Sequence, residues 1–531
     1  MSLRYAVALA LLTQPLYADA AGDFCPPVYA KAQINLPFNP AFLHVQQFDT
    51  PAGGRQDGLL MSSFFNVTKN PRGTAVERVV RGDLVALLRN LDAIGSEHFK
   101  IDEFLEIISD VGGTPRHVWP NETSRVPDGV LPFEAVISPQ GFQVAPKPGR
   151  LTLINLDDPR RTEYVVDQSS FKAPRCELGS TDNQPWFYHD ARFHDIDADG
   201  LKDIVSVRSS FRIVGGMCPP AGELVWFRNP GRALKPDEEW QETVLVGIAP
   251  PPGGPEVNMT IGDMDGDGIV EIIATHFFKH DGITIYGPPA GKRWADIDID
   301  AGVAVRQHDI MTNQGRPFAV EIADLNLDGR LDVLTSNHQG DGCFDVTRDA
   351  IPGRVLAIEQ PADGRLFESD WRVHVIKDDI RPNPTFPAPA RGPGRLAPNR
   401  ALAFWPRRSD EGKRRPWVLV GGDEASKVWI LRPRAADAAS WDYDSAVVFD
   451  INAHYGPMAS QTLLNDPQGV SISTIGGLTW RYDRPGPDGF AEIYFPVFEA
   501  RDIHVLSFRP QASESAVTCT PDRVHACPAS P

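Results

Sequence analysis

The segment Gly222-Glu-Leu-Val-Trp-Phe227 decides the reading of this chain, because six others repeat its design: Gly82-Asp-Leu-Val-Ala-Leu87, Gly149-Arg-Leu-Thr-Leu-Ile154, Asp281-Gly-Ile-Thr-Ile-Tyr286, Gly353-Arg-Val-Leu-Ala-Ile358, Ser426-Lys-Val-Trp-Ile-Leu431 and Arg501-Asp-Ile-His-Val-Leu506. Each opens on a glycine or polar residue and runs into β-branched, aromatic and aliphatic residues, the composition of a strand. They recur about every 60 to 75 residues, and most are followed closely by a strand-ending proline (Pro159, Pro230, Pro288, Pro361, Pro433, Pro510). A second apolar strand precedes each one, over Leu59–Phe65, Phe133–Ser138, Asp203–Ser209, Glu271–Phe277, Asp332–His338, Trp417–Asp423 and Glu492–Phe498. Trp240, Trp294, Trp371 and Trp441 open a further strand, and a leading strand such as Ala191–His194 or Ala319–Ala323 brings the count to about four per unit. Four strands at a fixed long period are the signature of a propeller blade.

Seven such blades give an all-β, seven-bladed propeller over residues 21–510, followed by a Cys/Pro/Ser-rich tail at 511–531. The last blade lacks a fourth strand after Pro510, so the expectation is that Val28–Leu36 supplies it and closes the ring. Cys25 then lies beside the tail, and a bond to Cys519 or Cys527 would lock the closure. Ser96–Ile108 is the best window for a helix, as an excursion of the first blade.

With 52 Lys+Arg against 70 Asp+Glu in 531 residues the formal charge is −18, which argues against a nucleic-acid partner because no cationic surplus displaces counterions from phosphates. A basic start, an apolar run from Tyr5 to Leu12 and Ala18-Asp19-Ala20 read as a signal peptide over residues 1–20. No later stretch reaches the length of a membrane span, so a secreted protein is expected. Six cysteines and Asn-x-Thr sequons at Asn66, Asn121 and Asn258 suit that route as staples and glycosylation sites.

Eleven of the 70 acidic residues sit in three loops of one design: Asp195-Ile-Asp197-Ala-Asp199-Gly200-Leu201-Lys-Asp203, Asp263-Met-Asp265-Gly-Asp267-Gly268-Ile269-Val-Glu271 and Asp324-Leu-Asn326-Leu-Asp328-Gly329-Arg330-Leu-Asp332. Oxygen ligands at positions 1, 3, 5 and 9, with the carbonyls of Leu201, Ile269 and Arg330 at position 7, can supply the six to eight oxygens that calcium takes. Without a cation these carboxylates repel one another. Strands replace the helices that would flank an EF-hand. A degenerate copy, Asp488-Gly489-Phe-Ala-Glu492, has lost its early ligands.

At these residues the sequence resembles the FG-GAP or VCBS repeat family, the propeller of integrin alpha heads and of many secreted microbial proteins. The resemblance implies about three calcium ions and ligand recognition on the face opposite them. A further likeness, to the propeller portion of fungal aldos-2-ulose dehydratases, rests on Gly222-Glu-Leu-Val-Trp226-Phe-Arg-Asn229-Pro230-Gly231 followed by Trp240-Gln-Glu-Thr-Val. Residues 511–531 leave no room for that enzyme's cupin domains, so its catalytic abilities are not expected to carry over.

If the ion loops join first to second strands at one rim, the second strands end at the opposite rim, around the channel mouth. That places Arg208, Ser209, His276, His280, Asn337, His338, Asp341, Asp423, Glu424 and Glu499 there, with His189 and Arg400 near the starts of first strands. Two functions fit: recognition of a glycan, protein or small-molecule ligand, or a metal-dependent lyase or dehydratase in which His276, His338 and Asp423 hold one zinc or manganese ion or act as acid and base. The basic run Arg407–Arg415 reads as a solvated insertion. No G-x-S-x-G elbow, H-E-x-x-H helix, P-loop or dinucleotide fingerprint is present.

Overall fold

The computed structural model describes residues 24–50, 53–64, 83–97, 99–109, 117–141, 149–172, 183–210, 221–231, 234–247, 253–278, 282–298, 301–339, 351–383, 396–456, 474–510 and 517–519. Seven four-stranded antiparallel sheets form the blades. Their innermost strands are Pro40–Asp49, Ser124–Arg125, Phe187–His194, Met259–Gly262, Pro317–Ala323, Ala401–Phe404 and Thr479–Tyr482. Within each blade the strands follow in chain order from the channel outward, except in blade seven, whose outer strand is Tyr29–Asn35 paired with Asp502–Ser507. Cys25 bonds Cys519 beside that pairing, and the Val517 amide donates to the Val28 carbonyl at 2.8 Å. The chain thus holds its ends together across 494 residues of sequence separation.

The blades stack through apolar faces. Val205, Val207 and Leu224 of blade three pack with Met259, Ile272, Ala274 and Tyr286 of blade four, and Leu334, Val355 and Ala357 of blade five pack with Val418, Val420 and Trp429 of blade six. Second and third strands are buried on both sides, which explains why Trp417–Gly421 or Leu84–Leu88 reads as a near-continuous apolar run. Each fully buried Leu, Ile, Val or Phe contributes roughly 1.5–3 kcal/mol.

Two expectations are corrected. The helix expected within Ser96–Ile108 is a single α-helical turn, Ile101–Phe104, that runs into the outer strand Leu105–Ile107 of blade one, because pairing with Leu84–Leu88 satisfies the rest of its backbone. Trp294 opens a short 3-10 turn, Trp294–Asp296, and the outer strand of blade four begins later, at Arg306. Trp240, Trp371 and Trp441 do lie just before outer strands.

Candidate functional site

The acidic loops join first to second strands of blades three, four and five at one rim. Gly200, Gly268 and Gly329 take positive φ as position 6 requires, and so do Ala198, Gly266 and Leu327 at position 4. For Ala198 and Leu327 that conformation costs roughly 1 kcal/mol each. Both oxygens of the first aspartate hold loop amides: Asp195 accepts from Asp199 and Gly200, Asp263 from Gly266 and Gly268, and Asp324 from Asp328 and Gly329. The ninth-position carboxylates staple the turn, Glu271 accepting from Met264 at 3.0 Å and Asp332 from Leu325 at 3.1 Å.

The three loops differ in what converges. Carboxylate oxygens of Asp195, Asp197 and Asp203 lie within 4.8 Å of one another, as do those of Asp263, Asp265 and Asp267. In blade five Asn326 donates to Asp328 at 3.0 Å, and Arg330 pairs with Asp328 as well. In blade three Arg228 pairs with Asp197. Burial pushes Asp203 up to about 6, Glu271 to about 8 and Asp332 to about 7, and neighbouring loop carboxylates add to each. A hard divalent cation suits this all-oxygen donor set and would keep these groups ionised.

The opposite rim carries the channel mouth. Register shifts at Pro40/Phe42, Tyr188/Asp190 and Pro317/Ala319 place a bulge at the start of the inner strands of blades one, three and five, so Ala41, His189 and Phe318 are the extra residues. A bulge re-aims its side chain. His189 and Phe318 meet edge to face at 5.4 Å, and Phe318 contacts His338 at 4.9 Å. Phe42 flanks His189 on its other side, and Phe64, stacked on Trp119 at 4.2 Å, also touches Phe42 and Phe498. Ring contacts thus link Phe498, Phe64, Phe42, His189, Phe318, His338 and Phe277.

Charges lie among these rings. The buried Glu122 carboxylate is 2.6 Å from His44 Nε2 and 3.3 Å from Arg400 Nη1. Burial alone would raise its pKa, but Arg400, His44 and His189 hold it well below the usual carboxylate range. Glu321 accepts from the Ala403 amide, and burial raises it to about 7 against the pull of Arg400 and Arg192. His189 is buried, which lowers its pKa, and its Nδ1 has no hydrogen-bond partner among the described residues.

Of the expected trio, the structure brings two together. His338 and Asp423 stand just beyond the second strands of neighbouring blades, Nε2 to Oδ2 3.7 Å. His276 is separate: its Nε2 bonds the Tyr286 hydroxyl at 2.8 Å, and the three side chains do not offer ligand atoms within 4.8 Å of one another. Arg208 is also internal, held by Glu223, Glu242 and Asp167. Glu424 accepts from the Leu396 amide, and Glu499 from Thr474. His280, Asp341 and the Asn66 sequon lie outside the described residues.

Two of the sequon asparagines lie inside the fold. Asn121 is buried and its Nδ2 donates to the carbonyls of Gly141 and Tyr188, while Asn258 Nδ2 donates to Asp190 and its Oδ1 accepts from Val320. A glycan on either nitrogen would sit inside the fold. Asn39 and Asn399 stand at the same place before other inner strands and also bond across to another blade, to the carbonyls of Phe498 and Ile475. The repeated asparagine is therefore a blade connector. The Asn229-Pro230-Gly231 turn has a comparable duty: the Asn229 amide donates to Asp203, and its side chain to Lys202 and to Val130 of blade two.

Sequence reading missed Glu122, His44, Glu321 and Phe318. Their signal was faint, because Phe318 is the extra residue of a bulge and Glu122, His44 and Glu321 find their partners on other blades.

No family model matches the chain, and no curated protein matches it. Among solved structures it is similar to a putative oxidoreductase (glucose dehydrogenase) from Thermus thermophilus, at 13% identity and TM-score 0.34, over 74% of this chain and 98% of that one. It is also similar to an alpha-L-arabinanase from Cellvibrio cellulosa complexed with arabinohexaose, at 11% identity and TM-score 0.28, over 60% of this chain and 93% of the other. Likeness at this level says nothing about ligand or activity.

Proposed function

We propose that this chain is a secreted, calcium-stabilised propeller of the FG-GAP/VCBS type that binds a carbohydrate at the channel mouth opposite the acidic loops. One observation carries the reading: the bulges that aim His189 and Phe318 toward His338, within an aromatic chain that also holds hydrogen-bonding carboxylates. Aromatic faces fit the apolar faces of sugar rings, and a few buried polar groups fix orientation. The loops of blades three and four present converging carboxylates for calcium, with Asp199, Glu271 and the position 7 carbonyls of Leu201 and Ile269 as further oxygens. The Cys25–Cys519 bond supports work outside a reducing cytosol. A zinc or manganese lyase draws no support from the mouth, because no three ligand groups converge there among the described residues.

Binding of neutral oligosaccharides, followed by saturation-transfer NMR and calorimetry, tests this reading. Phe318→Ala is expected to weaken binding about tenfold, or about 1.4 kcal/mol. Unchanged affinity, or loss only on substituting the loop aspartates at constant fold, would place the ligand elsewhere.

A further inference from the structure

The first-to-second-strand turns of blades six and seven lie side by side on the rim that carries the acidic loops, and they present the opposite charge. Residues 405–416 join Ala401–Phe404 to Trp417–Gly421, and residues 483–490 join Thr479–Tyr482 to Ala491–Val497. Aligning Glu492 with Glu271 puts Arg484 where Asp263 stands and Gly486 where Asp265 stands, so the blade seven turn has an arginine and a glycine in the places of the first two acidic ligands. In blade six Arg407, Arg408, Lys413 and Arg414 are exposed, while Arg415 is buried and holds carbonyls inside the fold.

The two turns are fixed to each other. The Arg408 amide donates to the Gly489 carbonyl at 2.9 Å, and the Ala491 amide to the Pro406 carbonyl at 3.0 Å. Trp405 Nε1 donates to the Arg414 carbonyl at 2.7 Å, and the Asp410 carbonyl accepts from the Lys413 and Arg414 amides. On this frame the Arg407 guanidinium lies over Phe490, 5.1 Å from the ring centre, and that of Arg408 over Tyr482 at 5.3 Å. A guanidinium that meets a ring through its face keeps its N–H edge for oxyanions, which it takes two bonds at a time.

Local carboxylates meet only part of this charge. Asp483 pairs with Arg509 at 3.0 Å and lies 3.7 Å from Arg484, and Asp410 lies 3.5 Å from Arg414. Asp410 and Glu411 also act on Tyr482, beside Arg408. Lys413 Nζ donates to the Ser409 carbonyl. Among the described residues no carboxylate forms an ion pair with Arg407, Arg408 or Lys413, on a chain whose net charge is −18.

We infer that this seam between blades six and seven binds an acidic polysaccharide, whose carboxylate or sulfate groups are taken by Arg407, Arg408 and Lys413. Charge is what the seam offers. Val375 is the one exposed large apolar side chain among the described residues, and it lies in the outer strand of blade five, so the seam has neither the apolar wedge that enters a lipid surface nor the apolar core of a protein interface. Asp410, Glu411 and Asp488 stand among the cations and would be repelled by a uniformly anionic membrane, whereas a polymer with spaced anionic groups passes between them. The seam is on the rim opposite the channel mouth, so this inference does not depend on the mouth reading.

The test is titration of the whole protein with heparin, polygalacturonate, dextran, phosphatidylserine vesicles and poly-L-glutamate at about 50 and about 150 mM NaCl. The expected result is binding of heparin or polygalacturonate, the one that binds naming the anionic group, with affinity that falls as salt rises. Arg407→Gln with Arg408→Gln should weaken it about tenfold, and Lys413→Gln, which leaves both aromatic contacts in place and decides the matter if the double variant loses stability, about threefold. Arg160→Gln with Lys235→Gln removes two exposed cations elsewhere and should change nothing. Dextran reports on the mouth, and its binding, present or absent, should not respond to these substitutions. Binding of neither polyanion overturns the inference, as does polyanion binding that persists unchanged in the seam variants or falls equally in both double variants. Tighter binding of the vesicles or of poly-L-glutamate also overturns it, and assigns the seam to a membrane or to an acidic protein.

Discussion

The turn between first and second strands closes every blade's inner hairpin, yet the blades meet its charge in two ways. In blades one, two, six and seven arginines knit it: Arg55 joins Asp49 and Asp128, Arg125 joins Asp128 and Glu134, Arg415 donates to the carbonyls of Leu325, Ala435 and Asp437, and Arg481 joins Glu492 at 2.9 Å. In blades three to five the turn is built from carboxylates, with Arg228 and Arg330 at its edge and no arginine paired into the blade four loop among the described residues. Glu492 occupies the sequence position of Asp203, Glu271 and Asp332, so the comparison is direct. Where the chain supplies its own cation the carboxylate is paired within the protein, and where it does not the carboxylates are left facing one another, a charge that a cation from solution would balance.

Breaking the self-supplied side has the largest expected effect. Arg481→Met leaves Glu492 buried beside Tyr494 with Lys31 still paired to it, and removing one member of a buried pair costs about 3–5 kcal/mol. Urea denaturation should show that loss, and a change under about 1 kcal/mol would mean that Lys31 alone carries the charge. Next comes the other side. Calcium at 100 times its Kd should stabilise the protein by about 2.7 kcal/mol per site. Asp263→Asn with Asp265→Asn should remove more of that gain than Asp324→Asn, because only the former pair belongs to a converged set. Denaturation midpoints identical in calcium and in chelator would end the ligand role of the loops.

The repeat in the sequence carried most of the architecture, because blade strands are local, apolar and regularly punctuated, and the missing outer strand after Pro510 pointed to the N-terminal segment that pairs there. The acidic loops were legible for the same reason, since their spacing is contiguous. The mouth was not. His338 and Asp423 come from different blades, and Glu122 meets His44 and Arg400 from two others, so their association exists only after the ring has closed. His276 shows the limit directly: it ends its strand as expected, but Tyr286 on the paired strand takes its imidazole. Asn121 and Asn258 matched a modification tripeptide while their amides were engaged in joining blades.

Acidity separates the two kinds of turn further. Glu271, Asp332 and Asp203 have folded pKa values raised to about 8, 7 and 6. Groups raised in this way add stability below their unfolded values, near pH 4, and that stability is lost as pH climbs through the folded values. In chelator the denaturation midpoint should therefore fall between pH 5 and 8.5, and calcium should flatten the fall. A flat chelator profile would show that the loops carry compensation of their own.

The smallest effect tests Arg228, which pairs with a carboxylate of a converged site. Arg228 reaches Asp197 and lies 3.6 Å from Asp199, but it is 46% exposed, so its pairing is worth about 0.2–1 kcal/mol. It also occupies an oxygen that calcium would use, so it competes with the ion at the blade three loop and has no such effect at blade four. Arg228→Gln should tighten calcium binding at one of the sites resolved by calorimetry about threefold, the equivalent of about 0.65 kcal/mol. Adding Arg228→Gln to the Asp263→Asn, Asp265→Asn protein should give the same tightening, because its blade three loop is intact. A weaker site in Arg228→Gln would make the arginine a support for the loop, and the division between self-supplied and borrowed cations would then run through blade three itself.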